Sequence, residues 1–170
     1  MTPGIHSYVL GIDPGITGAL AWVHLETKRL VQIAEMPTLL LPGGKKKIVD
    51  APTAHRVIST GPLLERVAIE AVHASPRMGN VSAFSFGRSL GLIEAAAQVV
   101  CRDVIRVSPK DWQSALNLTG GDKEKHRERA QKLWPEHSDL FSKAKDDGAA
   151  DAALIAYVTA CRFSGQNVRM

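Results

Sequence analysis

At 170 residues, 45% hydrophobic and 22% charged, the chain can bury one sizeable core but is too short for two ordinary domains, so a single domain over residues 1–170 is expected. No apolar run is long enough to span a bilayer, and Met1–Ser7 has neither the basic nor the apolar stretch of a secretory leader, which argues against a membrane or exported protein. Cys101 and Cys161 lack a CxxC partner or a histidine at ligand spacing, which argues against zinc or a disulfide framework, while a net charge of +4 points weakly to a polyanionic partner.

In chain order, Tyr8–Asp13 is a short apolar run ending on an acid and a Pro-Gly turn, read as a central strand. Ala19–Leu25 and Leu30–Ala34 follow after short turns, giving an antiparallel meander of three strands. Residues 36–50 carry Pro37, Pro42, Gly43, Gly44 and Lys45–Lys47, a composition that predicts a solvated loop. Asp50 caps a short amphipathic helix that Gly61-Pro62 closes. Arg66–Glu70 is a fourth strand, and again an acid ends it. Val81–Val100 has helical periodicity, with Gly87 and Gly91 one turn apart, a spacing that suggests close approach of another backbone, from the sheet or from a second subunit. Phe84 and Phe86 on this helix read as core or interface residues. Val104–Val107 is a fifth strand, and Ser108-Pro109-Lys110-Asp111 has the grammar of a helix start. A helix from Asp122 to Leu133 places His126, Ala130 and Leu133 on one face and Lys125, Arg129 and Lys132 on another. The last helix begins near Asp147 and is small and apolar nearly all round, as expected of an element packed deeply on a sheet. The pattern is an α/β plan with a five-stranded mixed sheet, its first three strands antiparallel and its fourth and fifth parallel.

Four acids stand out. Asp13 and Glu70 end two strands that, if parallel neighbours, release both carboxylates at one sheet edge. Asp147 and Asp151 lie at i and i+4 on the last helix, where their repulsion costs stability unless a cation offsets it. Clustered carboxylates are the hard oxygen donors that Mg²⁺ or Mn²⁺ prefers, and such a site suits metal-assisted hydrolysis of a phosphodiester. Asp146 remains open as the alternative to Asp147, depending on where the helix begins.

Gly11-Ile12-Asp13-Pro14-Gly15-Ile16-Thr17-Gly18-Ala19-Leu20, Val67-Ala68-Ile69-Glu70 and Asp147-Gly148-Ala149-Ala150-Asp151 occur in the order and spacing of the RuvC-like Holliday-junction resolvases. The i, i+4 spacing of the last acids resembles the phage-encoded and chloroplast branches. The resemblance implies an RNase H-like fold, a homodimer, and two Mg²⁺ per active site, with Mn²⁺ able to substitute. It also implies Asp13, Glu70, Asp147 and Asp151 as metal ligands, paired nicking of four-way DNA junctions, and a location in the cytoplasm of a bacterial or phage-infected cell or in an organelle. His73 stands where bacterial members carry an aromatic wedge. Lys110, Lys123 and Lys125 resemble the family's DNA-contacting and catalytic lysine region, with Lys123 or Lys125 facing the scissile phosphate and His73, Arg77, Lys110, Lys125 and Arg129 holding DNA. His126 reads as a helix-core or capping residue.

Alternatives in the sequence are cleavage of flaps or forks, and a junction-binding protein without catalysis. Asp13–Gly18 also resembles the phosphate-binding turn of the actin and sugar-kinase clan, but a nucleotide there is enclosed by two such domains.

Overall fold

Strand β1 (Tyr8–Ile12) is apolar on both faces because both faces are covered. Val9 faces one core cluster and Leu10 and Ile12 face the other, and all three are fully buried. The computed structural model describes residues 7–44, 46–73, 77–120 and 122–168. In it, β1 pairs antiparallel with β2 (Ala19–His24), which pairs antiparallel with β3 (Leu30–Glu35). On its other side β1 runs parallel to β6 (Leu64–Glu70), and β6 parallel to β7 (Val104–Val107), giving the order β3-β2-β1-β6-β7. This is the mixed five-stranded sheet that the sequence predicts.

The predicted loop over 36–50 needs correction. It contains a second, two-stranded sheet, β4 (Thr38–Leu40) with β5 (Lys47–Val49), paired antiparallel with Leu39 opposite Ile48. The Pro-Gly-Gly sequence that argued for irregular chain is the turn of this hairpin, with Gly43 and Gly44 at φ of 97° and 71°, a region that favours glycine. Ile48 and Val49 are buried and anchor the hairpin, whereas Lys46 and Lys47 are exposed. Lys45 lies outside the described residues.

One face of the sheet carries α1 (Ala51–Ser59) and the crossover helix α2 (Asn80–Val100). Asp50 caps α1 as expected, accepting from the Thr53 amide at 3.3 Å. The other face carries α5 (Asp147–Phe163), buried almost all round. Beside it lie α3 (Pro109–Ala115), capped by Ser108, and α4 (Lys123–Leu133), capped by Asp122. Two 3₁₀ segments, Pro135–Phe141 and Ala144–Asp146, lead into α5.

The glycines that matter for the sheet are Gly11 and Gly148, not the pair on α2. A Cβ at position 11 would lie 2.6 Å from the Ala156 backbone nitrogen and closer still to the Ala152 carbonyl, so only glycine lets α5 sit this low on β1. A Cβ at Gly148 would lie 2.7 Å from Gly18 Cα, which fixes the start of α5 against the β1–β2 turn. Around Gly87 and Gly91 a Cβ would meet nothing, so the sheet is not the backbone that approaches them. No helix among the described residues is long and apolar enough to cross a membrane.

Candidate active site

The parallel register that sets Ile12 beside Ile69 brings the next residues, Asp13 and Glu70, out together at the C-terminal edge of β1 and β6. Asp13 opens a tight turn in which its Oδ1 accepts from the Gly15 amide at 3.0 Å and its backbone amide donates to the Ala19 carbonyl. Burial pushes the Asp13 carboxyl above its usual range; the Gly15 amide opposes the rise, the Asp151 charge adds to it and Lys123 offsets it. Burial likewise raises Glu70, against the hydrogen bond donated by Trp112 Nε1 at 3.0 Å and with the charges of Asp13 and Asp151 adding to the rise. Asp13, Glu70 and Asp151 therefore share one electrostatic environment.

Asp151 reaches that environment because α5 packs onto Gly11 and Gly18. It is fully buried, yet both oxygens are engaged: Lys123 Nζ donates to Oδ2, and His126 Nδ1 lies 2.7 Å from Oδ1. Desolvation pulls the Lys123 ammonium down, but its hydrogen bond and attraction to Asp151, with the charges of Asp13 and Glu70, more than offset this and hold it up. Of the two lysines left open by the sequence, Lys123 is the one beside the acids. Lys125 is exposed and reaches Asp122 at 3.5 Å.

Asp147 is placed differently. Its carboxylate is ion-paired with the Arg127 guanidinium, so the two acids of α5 meet two bases of α4 in antiparallel order, Asp151 with Lys123 and Asp147 with Arg127. The repulsion expected between acids at i and i+4 is offset here by protein cations. Asp146 is engaged elsewhere, closing its own 3₁₀ turn by accepting from the Lys143 amide at 2.9 Å.

Three of these partners escaped the sequence reading. Nothing local in the sequence marks Trp112 as a partner of Glu70, His126 reads as core or cap, and Arg127 stands outside the basic face of Lys125, Arg129 and Lys132. Arg127 was within reach, because Lys123 and Arg127 at i, i+4 repeat the spacing of Asp147 and Asp151 with opposite charge. Trp112 and His126 also touch each other edge to face, ring centroids 5.0 Å apart, so the groups that hold Glu70 and Asp151 form one packed unit. His126 Nε2 is buried without a hydrogen-bond partner among the described residues.

The remaining predicted residues are not gathered at the acids by any described contact. His73 and Arg77 are exposed on either side of residues that lie outside the description, and Lys110 is exposed on α3. Arg129 is half-buried and donates to the Leu116 carbonyl at 3.4 Å, which ties α4 to the end of α3.

As the side chains stand, no three acidic, histidine or cysteine groups among the described residues enclose a metal ion. The donor chemistry nevertheless fits a hard divalent cation. Asp13 and Glu70 are raised by burial and by neighbouring negative charge, which a cation relieves, and the charge answering them is a single ammonium.

No family model and no curated protein matches the sequence. Among solved structures, Thermus thermophilus RuvC matches with a TM-score of 0.61 at 23% identity, covering 94% of this chain and 97% of that one. T. thermophilus RuvC in complex with a Holliday junction substrate matches with a TM-score of 0.58 at 21% identity and the same coverage. At such identity the likeness speaks for architecture alone. The chain has the RuvC fold, an RNase H-like α/β architecture, with Asp13 and Glu70 at the C-terminal edge of adjacent parallel strands and Asp151 on the helix packed beneath them.

Proposed function

We propose that the chain is a divalent-metal-dependent endonuclease of the RuvC type that resolves four-way DNA junctions by paired nicks from a homodimer. The observation that carries this reading is the convergence of Asp13, Glu70 and Asp151 with Lys123 at one sheet edge of a RuvC fold. That a neighbour of the same fold was solved with a Holliday junction supports the substrate. Affinity with the phage-encoded and chloroplast branches rests on the Asp147–Asp151 spacing alone.

In this reading Asp13, Glu70, Asp147 and Asp151 would hold Mg²⁺, with Mn²⁺ able to substitute, and two such ions would supply an activated water and charge for the leaving oxygen. Asp13 and Glu70 offer oxygens from a rigid sheet edge. Trp112 fixes the Glu70 carboxylate, and His126 fixes that of Asp151, so both acids are pre-oriented. Lys123 supplies the positive charge for the phosphate's developing negative charge. Lys110, Lys125, Arg77 and His73 are exposed for backbone contacts, and Arg129, half-buried on α4, would join them in holding DNA.

The homodimer is supported by one face of α2. Val81, Phe84 and Val99 are 67%, 75% and 74% exposed, and Gly87 and Gly91 on the same side leave room for a second backbone.

A second reading, a junction-binding protein without catalysis, is favoured by the two ion pairs that already neutralise Asp147 and Asp151. Purified protein and Asp13→Asn on four-way junctions, flaps, forks and linear duplex, with Mg²⁺, Mn²⁺ or EDTA, separate the readings. Symmetric metal-dependent nicks confined to the junction, lost in the variant, support resolution. Tight junction binding without cutting under either metal hands the case to the binding protein, and preferential cutting of flaps or forks changes the substrate.

A further inference from the structure

A groove of about 520 Å³ lies between the β4–β5 hairpin and the first half of α2, outside the carboxylate site. One wall is Pro14 and Ile16, in the turn that begins at Asp13, so the groove opens beside the acids. Leu40 and Phe86 line it as well, Lys46 and Lys47 stand on its hairpin side, and α2 serines complete it. Leu40 and Lys47 are directly opposed across the hairpin, so their side chains share a face and bring an apolar wall and an ammonium together. Neither Lys46 nor Lys47 has a carboxylate partner among the described residues, and both are exposed. Phe84 and Phe86 are two residues apart and so point to nearly opposite sides of α2. The groove therefore does not compete with the exposed face that Phe84 occupies.

Apolar walls flanked by exposed lysines match an unpaired nucleotide, which joins an apolar ring face to a phosphate. The volume is in the range of small-ligand sites and far too small for a duplex, so a base enters only when splayed from its stack. We propose that this groove binds one unpaired nucleotide of the DNA strand beside the acids, its base against Phe86 and Ile16 and its phosphates toward Lys46 and Lys47. The inference rests on the nuclease reading of the acid site and adds a subsite that holds the strand next to it.

The test measures binding of the full chain, in EDTA so that nothing is cut, to a fluorescent oligodeoxythymidylate and to an abasic strand of equal length and charge. Wild type is expected to prefer the base-bearing strand by about tenfold, the scale of one base stacked on an aromatic ring. Phe86→Leu, which keeps apolar volume, removes the preference and leaves abasic binding in place. Lys46→Ala with Lys47→Ala weakens both strands equally and flattens the salt dependence. Equal binding of the two strands by wild type overturns the proposal, as does a preference that survives both Phe86→Leu and Ile16→Ser, with thermal melts confirming that each variant is folded. Junction cutting in Mg²⁺ alongside equal binding of the two strands sinks the groove alone. A base preference in a protein that cuts nothing keeps the groove and sinks the nuclease.

Discussion

The raised carboxyls of Asp13 and Glu70 carry a cost that can be measured without any substrate. A carboxyl whose folded pKa exceeds its unfolded value binds protons more readily in the folded state, so stability is fully present below the ordinary carboxylate range and is lost as pH rises through the raised values. Metal-free protein should accordingly be less stable at neutral pH than in mild acid, as far as these two groups decide it. Asp13→Asn removes one charge and is expected to abolish cutting while raising metal-free stability at neutral pH by on the order of 1 kcal/mol. Mg²⁺ should raise the melting temperature of wild type more than that of the variant, and equal shifts would remove Asp13 from the metal site. His126 gives the opposite sign. Substituting His126→Ala removes a buried partner of Asp151 and the edge contact to Trp112, and should cost about 1–3 kcal/mol in urea unfolding. Asp13 and Glu70 were legible in the sequence because each ends an apolar strand, a local pattern. Trp112 and His126 were not, because their contacts to Glu70 and Asp151 span 42 and 25 positions and nothing local marks them.

At the scale of elements, the site depends on how closely α5 approaches the sheet, and that approach is set by missing side chains. Gly11→Ala places a methyl against the α5 backbone, with no flexible group to yield, so the helix must lift from β1. The expected cost is about 1–3 kcal/mol, with Asp151 displaced from Asp13. Denaturant titration reads the first, and the second appears as a weaker stabilisation by Mg²⁺ than wild type shows. A variant as stable and as metal-responsive as wild type would mean that the close packing is dispensable. The helices themselves were readable in advance, since Asp50, Ser108 and Asp122 each cap one by side-chain acceptance. The β4–β5 hairpin was not, because strands of three residues are too short for periodicity to register and the lysines mask the buried Ile48 and Val49. The antiparallel pairing of Lys123 and Arg127 with Asp151 and Asp147 was half readable: the spacings are in the sequence, the direction in which α4 crosses α5 is not.

For the whole molecule, the proposed paired cutting of two strands demands two sites held at a fixed separation, and one chain has one cluster of Asp13, Glu70 and Asp151. The exposed α2 face with Val81, Phe84 and Val99 is the surface that the proposed homodimer would use, and its glycines leave room for close helix contact. Because Phe84 is 75% exposed, replacing it should cost the monomer fold little. In the proposed homodimer Phe84→Glu would place a charge within the contact, and each dimer would bury two. Light scattering after size exclusion should then show a monomer at concentrations where wild type is a dimer, with an unchanged far-ultraviolet circular dichroism spectrum. On a junction extruded from a supercoiled plasmid the variant should accumulate singly nicked circles, whereas wild type yields linear product, because the second nick no longer comes from a partner held in place. A Phe84→Glu protein that remains dimeric, or that still linearises the plasmid as wild type does, would put the subunit contact on a surface other than α2.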